Sequence, residues 1–442
     1  MSNLKESKYN HTVKLDEQYS IVYNSLKRTI SKLDNRYLED LKNHCLSDIH
    51  ASQLSELGIL IGDNVDEENI IDLRHLEDVM GSQLDLTILP TENCNLRCKY
   101  CYESFQKGKM SNENQRRIIR FLKKNLYKYT ELNVSWFGGE PTTAMNVIEN
   151  LSTEMIQCCE KRSIQYQAGI TTNGYNLTYE NFMLLLKLKV RTFQVTLDGT
   201  QEYQDRFKRT VDDKPTFERV FNNLKQIRDR CKSNTFSLII RTNISSDSLE
   251  DIPKILKLYK EQFGNDKRFS FYFRPVGDWG GDRVKEITDS VVKKENYFTV
   301  YKRLAESNIR LNYMMYYTEL TNDIDICYAA RKNSYIIGSD LQIYKCSVIF
   351  DDPLNQIGFI DENGVMVLDE SKQAKWIMTG LKGGNIKKCK SCILKGPCYN
   401  STCIADQVRG KTEYNCPHMY KSLDDFLLLL STSEKYCKIY DY

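Results

Sequence analysis

The sequence contains no run of about eighteen apolar residues, so no segment of the 442-residue chain is expected to span a membrane. It also lacks an excess of charge of one sign, because 62 Lys and Arg against 59 Asp and Glu leave a formal charge of +3. Neither nucleic acid nor an anionic membrane is therefore an expected partner. Residues 1–17 are polar and have no apolar signal core, which indicates a cytoplasmic protein.

Cysteine, in contrast, is abundant. Fifteen cysteines in a cytosolic chain favour metal ligation over disulfides. They are also clustered, which predicts oxygen-sensitive metal sites and an anaerobic host. Five cysteines lack ligand spacing and are interpreted as packing residues. These five are Cys45, Cys158, Cys159, Cys231 and Cys437.

The stretch from residue 94 to residue 101 places three cysteines at gaps of three and then two residues. Cys94, Cys98 and Cys101 can bind one iron–sulfur cube at this spacing and leave its fourth iron open to a small molecule. Structural zinc is the alternative, but zinc needs four ligands, and no fourth Cys or His lies near Cys101. The pattern resembles the signature of the radical S-adenosylmethionine (SAM) superfamily, whose open iron binds SAM. An aromatic residue, here Tyr100, typically precedes the third cysteine of that signature.

Residues 84 to about 310 alternate between strand-like and helix-like segments, which predicts six β–α units and a parallel sheet. The predicted strands are Asp85–Thr91, Leu132–Phe137, Gln165–Thr172, Thr192–Leu197, Phe236–Asn243 and Phe269–Pro275. The cysteine loop follows the first strand, and in such folds the chemistry lies on loops after strands. The pattern resembles the partial (β/α)6 TIM-like barrel of the radical SAM superfamily.

Further motifs lie at the ends of the predicted strands. Gly138, Gly139, Glu140 and Pro141 follow strand two and resemble the family segment that holds the SAM amino group; a plain tight turn is the alternative. By the same resemblance Asn173 and Asp198 line the SAM and substrate cavity, and Arg209 lies near the SAM carboxylate. Asp198 has a turn-forming Asp-Gly as its alternative role. Arg241, Asn243 and Arg274 on later strands are expected either to contact ligand or to form buried salt bridges.

The cysteines after residue 320 resemble the SPASM extension of radical SAM enzymes, which holds two auxiliary 4Fe–4S clusters. The resemblance assigns Cys389, Cys392, Cys398 and Cys416 to a distal cluster. It assigns Cys327, Cys346 and Cys403 to a proximal one. No cysteine lies between Tyr317 and Ile326, where a fourth proximal ligand is usual, so an open iron or an unusual ligand is expected.

Two details depart from the SPASM pattern: Leu341 stands where the family has glycine, and the last gap of the cysteine motif is four residues rather than three. A zinc ribbon is the structural alternative. Seven cysteines, however, exceed one zinc site and fall short of the eight that two would need.

The first part of the chain predicts a small α+β module. Strands at 19–23 and 29–33 precede a helix that starts at Asn35, as N-cap, and a second short helix at 53–60. The order resembles the peptide-binding winged-helix module of peptide-modifying radical SAM enzymes; an element that only caps the barrel is the alternative. The expected domains are 1–80 (this module), 81–315 (the barrel) and 316–442 (the SPASM domain, folded around metal).

The resemblance, which covers about residues 18–420, implies a radical SAM oxidoreductase that uses SAM and three 4Fe–4S clusters. A reduced cluster cleaves SAM, and the resulting 5′-deoxyadenosyl radical abstracts hydrogen from an unactivated carbon. The expected partners are a precursor peptide and a flavodoxin- or ferredoxin-type electron donor, and a cysteine thioether is the leading product.

The alternatives are anaerobic sulfatase maturation, carbon–carbon or carbon–oxygen crosslinking, epimerisation, and a non-catalytic cluster-binding regulator. Ser347 stands where sulfatase-maturating enzymes typically have Asp, and they usually lack the first module; both features count against that activity. The segment 138–141 counts against the regulator.

Overall fold

The structure is a computed structural model that describes residues 4–276, 283, 287, 290–292, 326–383, 386–399, 403–411, 416, 423–432 and 437–442. No helix among these residues is long and apolar enough to cross a membrane. Every cysteine is free of disulfides. Four of the five predicted packing cysteines are buried, but Cys45 is exposed, and its thiol lies 3.3 Å from Asp40 Oδ1, so the packing interpretation is wrong there.

Six parallel strands form the centre of the main sheet, in chain order, as the sequence predicts. They are β6 (Leu84–Ile88), β7 (Glu131–Trp136), β8 (Gln165–Thr172), β9 (Val190–Thr196), β10 (Ser237–Ile244) and β11 (Phe269–Pro275). Alternate side chains of β6 and β7 are buried, such as Leu132, Val134 and Trp136 of β7, whereas β10 and β11 contain runs of three buried residues. This period-two burial is what the alternation of apolar residues predicts.

Helices connect these strands and cover the buried face of the sheet. They are α4 (Asn112–Asn125), α5 (Met145–Glu160), α6 (Tyr179–Lys187), α7 (Gln201–Phe207), α8 (Phe217–Arg230) and α9 (Ile252–Phe263). Hydroxyl side chains fix where they begin: Ser111 Oγ accepts a hydrogen bond from Asn114 N (3.1 Å), and Thr178 Oγ1 accepts one from Asn181 N (3.3 Å). The short helix α7 is the one element here that the sequence did not predict.

The main sheet continues into the predicted third domain. Strand β12 (Ser334–Ile337) pairs in parallel with β6, and β13 (Gln342–Tyr344), β14 (Gln356–Ile360) and β15 (Met366–Leu368) follow antiparallel. The described strands therefore form an open ten-stranded sheet and not a closed barrel. Trp376 of α10 (Glu370–Lys382) is buried in the same core as the barrel helices. This part of the chain shares the barrel's core and does not fold around metal alone.

The cysteine-rich segments contain short helices. These are α11 (Lys387–Lys390), α12 (Lys395–Cys398) and α13 (Ile404–Val408), followed by α14 (Leu423–Ser431). Single 3-10 turns occur at Leu126–Lys128, Pro141–Ala144, Ser246–Asp251 and Tyr328–Ala330.

Residues 4–80 form a small α+β module; its second helix lies at Asp48–Glu56, so the predicted helix at 53–60 is wrong in its bounds. Its elements are β1 (Leu4–Glu6), β2 (Asn10–Lys14), β3 (Tyr19–Asn24), β4 (Thr29–Asp34), α1 (Asn35–Lys42), α2 (Asp48–Glu56), β5 (Leu60–Gly62) and α3 (Glu67–Met80). The side chain of Asp34 caps α1 by accepting from Arg36 N (3.0 Å), so the predicted cap Asn35 is instead the first helical residue. A strand from far along the chain, β16 (Lys438–Tyr440), completes the sheet in the order β16-β4-β3-β2.

Helix α3 joins this module to the cysteine-rich segments. The buried Lys395 Nζ lies 3.0 Å from Asp72 Oδ1, and the Tyr399 hydroxyl donates to the same oxygen at 3.0 Å. The His75 ring stacks on the Tyr399 ring with centroids 3.6 Å apart. The module is therefore fixed to the rest of the molecule by a buried polar cluster as well as by β16.

Candidate active site

The cysteine loop at 94–101 follows β6 and is held along its length by the segment 207–211. Arg97 N donates to Arg209 O (2.8 Å), Lys99 N donates to Phe207 O (3.0 Å), and Val211 N donates to Asn95 O (3.1 Å). These bonds lock the loop backbone. The thiols therefore project from a defined frame at the carboxyl end of the sheet.

The three thiols of the loop lie close enough to one another that the pKa of Cys98 is raised by both of its partners. Burial is the larger cause: it raises the pKa of Cys94 to about 12 and also raises the pKa of Cys98 and Cys101. Leu96 N donates to Cys94 Sγ (3.4 Å). Three soft, mutually close sulfur donors on one loop fit an iron–sulfur cluster.

No three His, Cys, Asp or Glu side chains converge on a single-ion site anywhere in the part of the chain that the structure describes. Cluster ligands bind different irons, so their sulfur atoms need not meet at one point.

The Gly138-Gly139 pair packs directly against the backbone that leads into the cysteine loop. Gly138 has φ 115°, and a Cβ there would lie 2.4 Å from Thr91 O. A Cβ on Gly139 would lie 2.4 Å from Glu92 O, so neither position accepts a side chain. Glu140 N then donates to Asn93 O at 3.0 Å.

The Glu140 carboxylate is buried and holds the ends of two strands together. Oε1 accepts from Thr142 N (3.0 Å), Thr142 Oγ1 (2.5 Å) and Thr172 Oγ1 (2.7 Å), and Oε2 accepts from Asn173 N (2.7 Å). Burial raises the pKa of this carboxyl, and these hydrogen bonds oppose the rise. Oε2 keeps room for another donor, since a carboxylate oxygen accepts about two hydrogen bonds. Pro141 starts the 3-10 turn that follows.

Asn173 links this carboxylate to the cysteine loop. Its Nδ2 donates to Asn95 Oδ1 (2.9 Å) and lies 3.8 Å from Cys94 Sγ. Arg209 is placed differently: its backbone carbonyl supports the loop, while its guanidinium pairs with Asp213 Oδ1 at 2.9 Å. The carboxylate contact expected of Arg209 would require that pair to open.

Asp198 is fully buried and sits in a network of protein groups. It accepts the Tyr100 hydroxyl and, at Oδ1, both Asn243 N (2.9 Å) and Asn243 Nδ2 (3.2 Å). Lys208 Nζ lies 3.4 Å from Oδ2, with only 3% of the Lys208 side chain exposed. The network ties Tyr100, inside the cysteine loop, to β9 and β10. The structure thus gives Asp198 a positioning role that its Asp-Gly sequence does not reveal.

The second group of cysteines lies beyond β12. Burial raises the pKa of Cys327 to about 11, and Cys346 and Cys403 contribute to the rise. The buried Asn355 side chain fixes the Cys346 turn: its Oδ1 accepts from Cys346 N (2.7 Å) and its Nδ2 donates to Cys346 O (2.8 Å). The stretch 317–325, where the SPASM pattern usually has the fourth ligand of the proximal cluster, lies outside the described residues.

The third group contains Cys389, Cys392 and Cys416. Burial raises the pKa of Cys389, and Cys392 and Cys416 raise it further. Cys398 closes α12 nearby in the chain. Leu341, which replaces the SPASM glycine, has φ 69°, the left-handed conformation that glycine adopts most easily. The turn therefore keeps its shape without the glycine.

A tyrosine follows one cysteine in each of the first two groups. Tyr102 follows Cys101 and Tyr328 follows Cys327; each is half-buried, and Tyr328 packs against the cluster of Leu89, Ile336 and Tyr344. The Tyr328 hydroxyl accepts from Ser347 N (2.9 Å) and lies 2.8 Å from Ser347 Oγ.

A cavity of about 670 Å³ lies against the central strands. Its lining mixes the polar Asn133, Gln167 and Thr171 with the apolar Val134 and Ile170. The interior of a closed parallel barrel is filled by branched apolar side chains, whereas this cavity is open. The cavity reaches Thr171, two residues before Asn173, and so approaches the cysteine loop.

Comparison with known proteins identifies this arrangement. Residues 88–269, which contain the cysteine loop, the Gly138–Pro141 turn, Asn173 and the Asp198 network, match the family model of the radical SAM superfamily. Residues 88–269 of this chain form a radical SAM domain. Members of the family bind SAM and a 4Fe–4S cluster, so the predicted family, its partial barrel and its enzymatic nature are confirmed.

Two curated radical SAM relatives and one solved structure illustrate the range of similarity. The cysteine-type anaerobic sulfatase-maturating enzyme of Clostridium novyi (strain NT) is 24% identical over 335 residues, 70% of this chain and 85% of that protein. The Fe-coproporphyrin III synthase of Methanosarcina barkeri is 26% identical over 196 residues, 44% of this chain and 45% of that protein. The structure of native anSMEcpe with bound AdoMet and Cp18Cys peptide has a TM-score of 0.62 at 19% identity, covering 79% of this chain and 97% of that one.

Proposed function

We propose that this radical SAM enzyme is a peptide maturase that joins a cysteine sulfur to a carbon atom in a ribosomally made precursor peptide. The observation that carries the proposal is that Tyr328, next to Cys327, packs against the cluster that contains Leu89, at the end of the strand that leads into the cysteine loop. A substrate beside Tyr328 would lie within reach of both cysteine groups. The cavity supports a peptide, because amide and hydroxyl side chains in its lining, such as Gln167 and Thr171, pair with an extended backbone.

Each group of site residues has a role in this proposal. Cys94, Cys98 and Cys101 hold the SAM-binding cluster. Gly138 and Gly139 let the backbone approach SAM, the free lone pair of Glu140 accepts from the SAM ammonium, and Asn173 orients Cys94. When bound, SAM and the clusters supply one-electron cleavage, hydrogen-atom abstraction and an acceptor for the electron released as the bond forms.

The residues after 316 form a SPASM domain in this proposal. Cys327, Cys346 and Cys403 hold a proximal cluster with one iron available to a substrate thiolate, since metal coordination deprotonates a thiol. Cys389, Cys392, Cys398 and Cys416 hold a distal cluster. Desolvation raises the pKa of the Cys327, Cys346 and Cys403 thiols, so metal binding there would release protons.

The proposed enzyme has two protein partners, the precursor peptide and an electron donor. Residues 1–80 hold the leader segment of the precursor, residues 81–315 carry the radical chemistry, and a flavodoxin- or ferredoxin-type protein donates electrons. The α+β module and its fixed attachment through α3 support this division, because a leader held there stays at a constant distance from the barrel.

Sulfatase maturation is a second candidate, favoured by the 24% identity with the Clostridium novyi enzyme over 70% of this chain. The Tyr328–Ser347 hydrogen bonds count against it, because a hydroxyl stands where those enzymes typically carry a carboxylate.

Mass spectrometry separates these candidates. The anaerobic enzyme is incubated with SAM, a reductant and either a cysteine-containing peptide encoded beside its gene or a sulfatase peptide containing cysteine. A thioether maturase should remove two hydrogens per crosslink and protect that cysteine from alkylation. Formylglycine, an aldehyde that reacts with hydrazides, would establish the second candidate. A two-hydrogen loss with every cysteine still alkylatable would point to carbon–carbon or carbon–oxygen bonding instead.

A further inference from the structure

The outer edge of the small sheet is covered by a strand from the same chain. Strand β16 pairs in parallel with β4, with Lys438 opposite Ser31, Ile439 opposite Lys32 and Tyr440 opposite Leu33. Only three residues pair, although β4 has six. An uncovered strand edge presents unpaired N–H and C=O groups, which is the usual docking place for an extended peptide.

The two residues after β16 anchor it through specific side-chain contacts. The Tyr19 hydroxyl donates to Asp441 Oδ1 (2.5 Å), and the Tyr37 hydroxyl donates to Asp441 O (3.1 Å). The centroid of the Tyr442 ring lies 4.4 Å from that of the His50 ring. The guanidinium of Arg36 lies 4.7 Å from the centroid of the Tyr442 ring. The Tyr442 hydroxyl donates to Asp40. These contacts form a binding site for an acidic residue followed by an aromatic one.

The covering strand is weakly held relative to the body of the module. Ile439 is 45% exposed and Tyr442 is 41% exposed, whereas Leu33 on β4 is fully buried. Short, exposed strands with few apolar contacts open first when a protein fluctuates. The edge of β4 thus makes specific contacts with β16, and it becomes accessible when β16 opens locally.

From this we infer that the β4 edge is a peptide-docking site and that β16 is its internal occupant, which an extended acidic–aromatic peptide segment displaces. The inference rests on the proposed function, since the precursor leader would be the displacing peptide. Residues 438–442 would then lower the affinity of the enzyme for its precursor, because the peptide must first displace them.

The test uses the full chain and a fluorescent peptide that copies Lys438–Tyr442. The double variant Asp441→Ala/Tyr442→Ala removes the anchors of the internal strand, and Tyr127→Ala, a 70% exposed tyrosine elsewhere on the surface, is the control. We expect the double variant to bind the probe about tenfold more tightly than wild type, whereas the control binds like wild type. A probe with Ala in place of its Asp and final Tyr should lose this gain.

Hydrogen exchange locates the binding event. Amides of residues 29–34 should exchange faster in the double variant and regain protection when the probe is added. Tyr442→Phe, which keeps the ring, should lie between wild type and the double variant. Equal probe affinity in all proteins, or protection elsewhere, would overturn the inference.

The same preparations are assayed for product with the precursor peptide. Product formation without probe binding would overturn this inference alone. Probe binding at β4 without any peptide product would overturn the proposed function and leave the docking site standing.

Discussion

The buried ion pair beneath the cysteine loop gives the sharpest stability prediction. Lys208→Met would remove the cation 3.4 Å from Asp198 Oδ2, where 3% of the Lys208 side chain and none of the Asp198 side chain is exposed. Removing one partner of a buried pair costs about 3–5 kcal/mol, because the other charge stays buried and uncompensated. The donors Tyr100 and Asn243 remain and offset about 1 kcal/mol, so we expect a loss of about 3 kcal/mol.

The assay is urea unfolding of anaerobically prepared protein, followed by tryptophan fluorescence, with SAM cleavage measured alongside. Adding Asp198→Asn to Lys208→Met should recover about 2 kcal/mol, because the orphaned charge is then gone. Lys257→Met is the matched control: that lysine is 78% exposed, lies 4.0 Å from Glu261, and should change stability by less than about 0.5 kcal/mol. A Lys208→Met variant as stable as this control, or no coupling with Asp198, would refute the reasoning.

Three further predictions concern single residues. Leu341→Gly should relieve about 1 kcal/mol of left-handed strain but lose about 2–5 kcal/mol of buried packing, so urea unfolding should show a net loss; a gain would mean that strain dominates. Burial lowers the pKa of His75 to about 4 in the folded state. The stability that the neutral ring gives the fold is therefore complete above about pH 6.5 and is lost as the pH falls towards 4. Unfolding free energy should therefore drop by about 2 kcal/mol between pH 7 and 5, and His75→Phe should flatten that drop; an unchanged slope would contradict it. Glu140→Gln should weaken SAM binding by about tenfold or more with iron content unchanged, as measured by equilibrium dialysis, and unaltered affinity would exclude the ammonium contact.

Local sequence patterns predict most of the barrel because each of its elements has its own signal. Strand β8 begins and ends where the alternation of apolar residues places it. The cysteine loop was equally visible, since three ligands of one cluster lie within eight residues.

Long-range pairing carries no comparable local signal. The parallel pairing of β12 with β6, and of β16 with β4, joins residues hundreds of positions apart. Lys208 and Asn355 were missed for the same reason, because a buried lysine and a buried asparagine look like surface residues until their partners are known. Asn243 was expected to bind ligand or a buried partner, and the structure gives it Asp198.

The central claim is that the three cysteines of the loop that follows β6 hold the cluster that cleaves SAM. Iron content and SAM cleavage of the anaerobically purified chain should be compared with those of the variant in which Cys94, Cys98 and Cys101 are all replaced by Ala. We expect about twelve irons per chain in the wild type, about a third fewer in the variant, and complete loss of SAM cleavage. SAM cleavage at the wild-type rate in the triple variant would contradict the account.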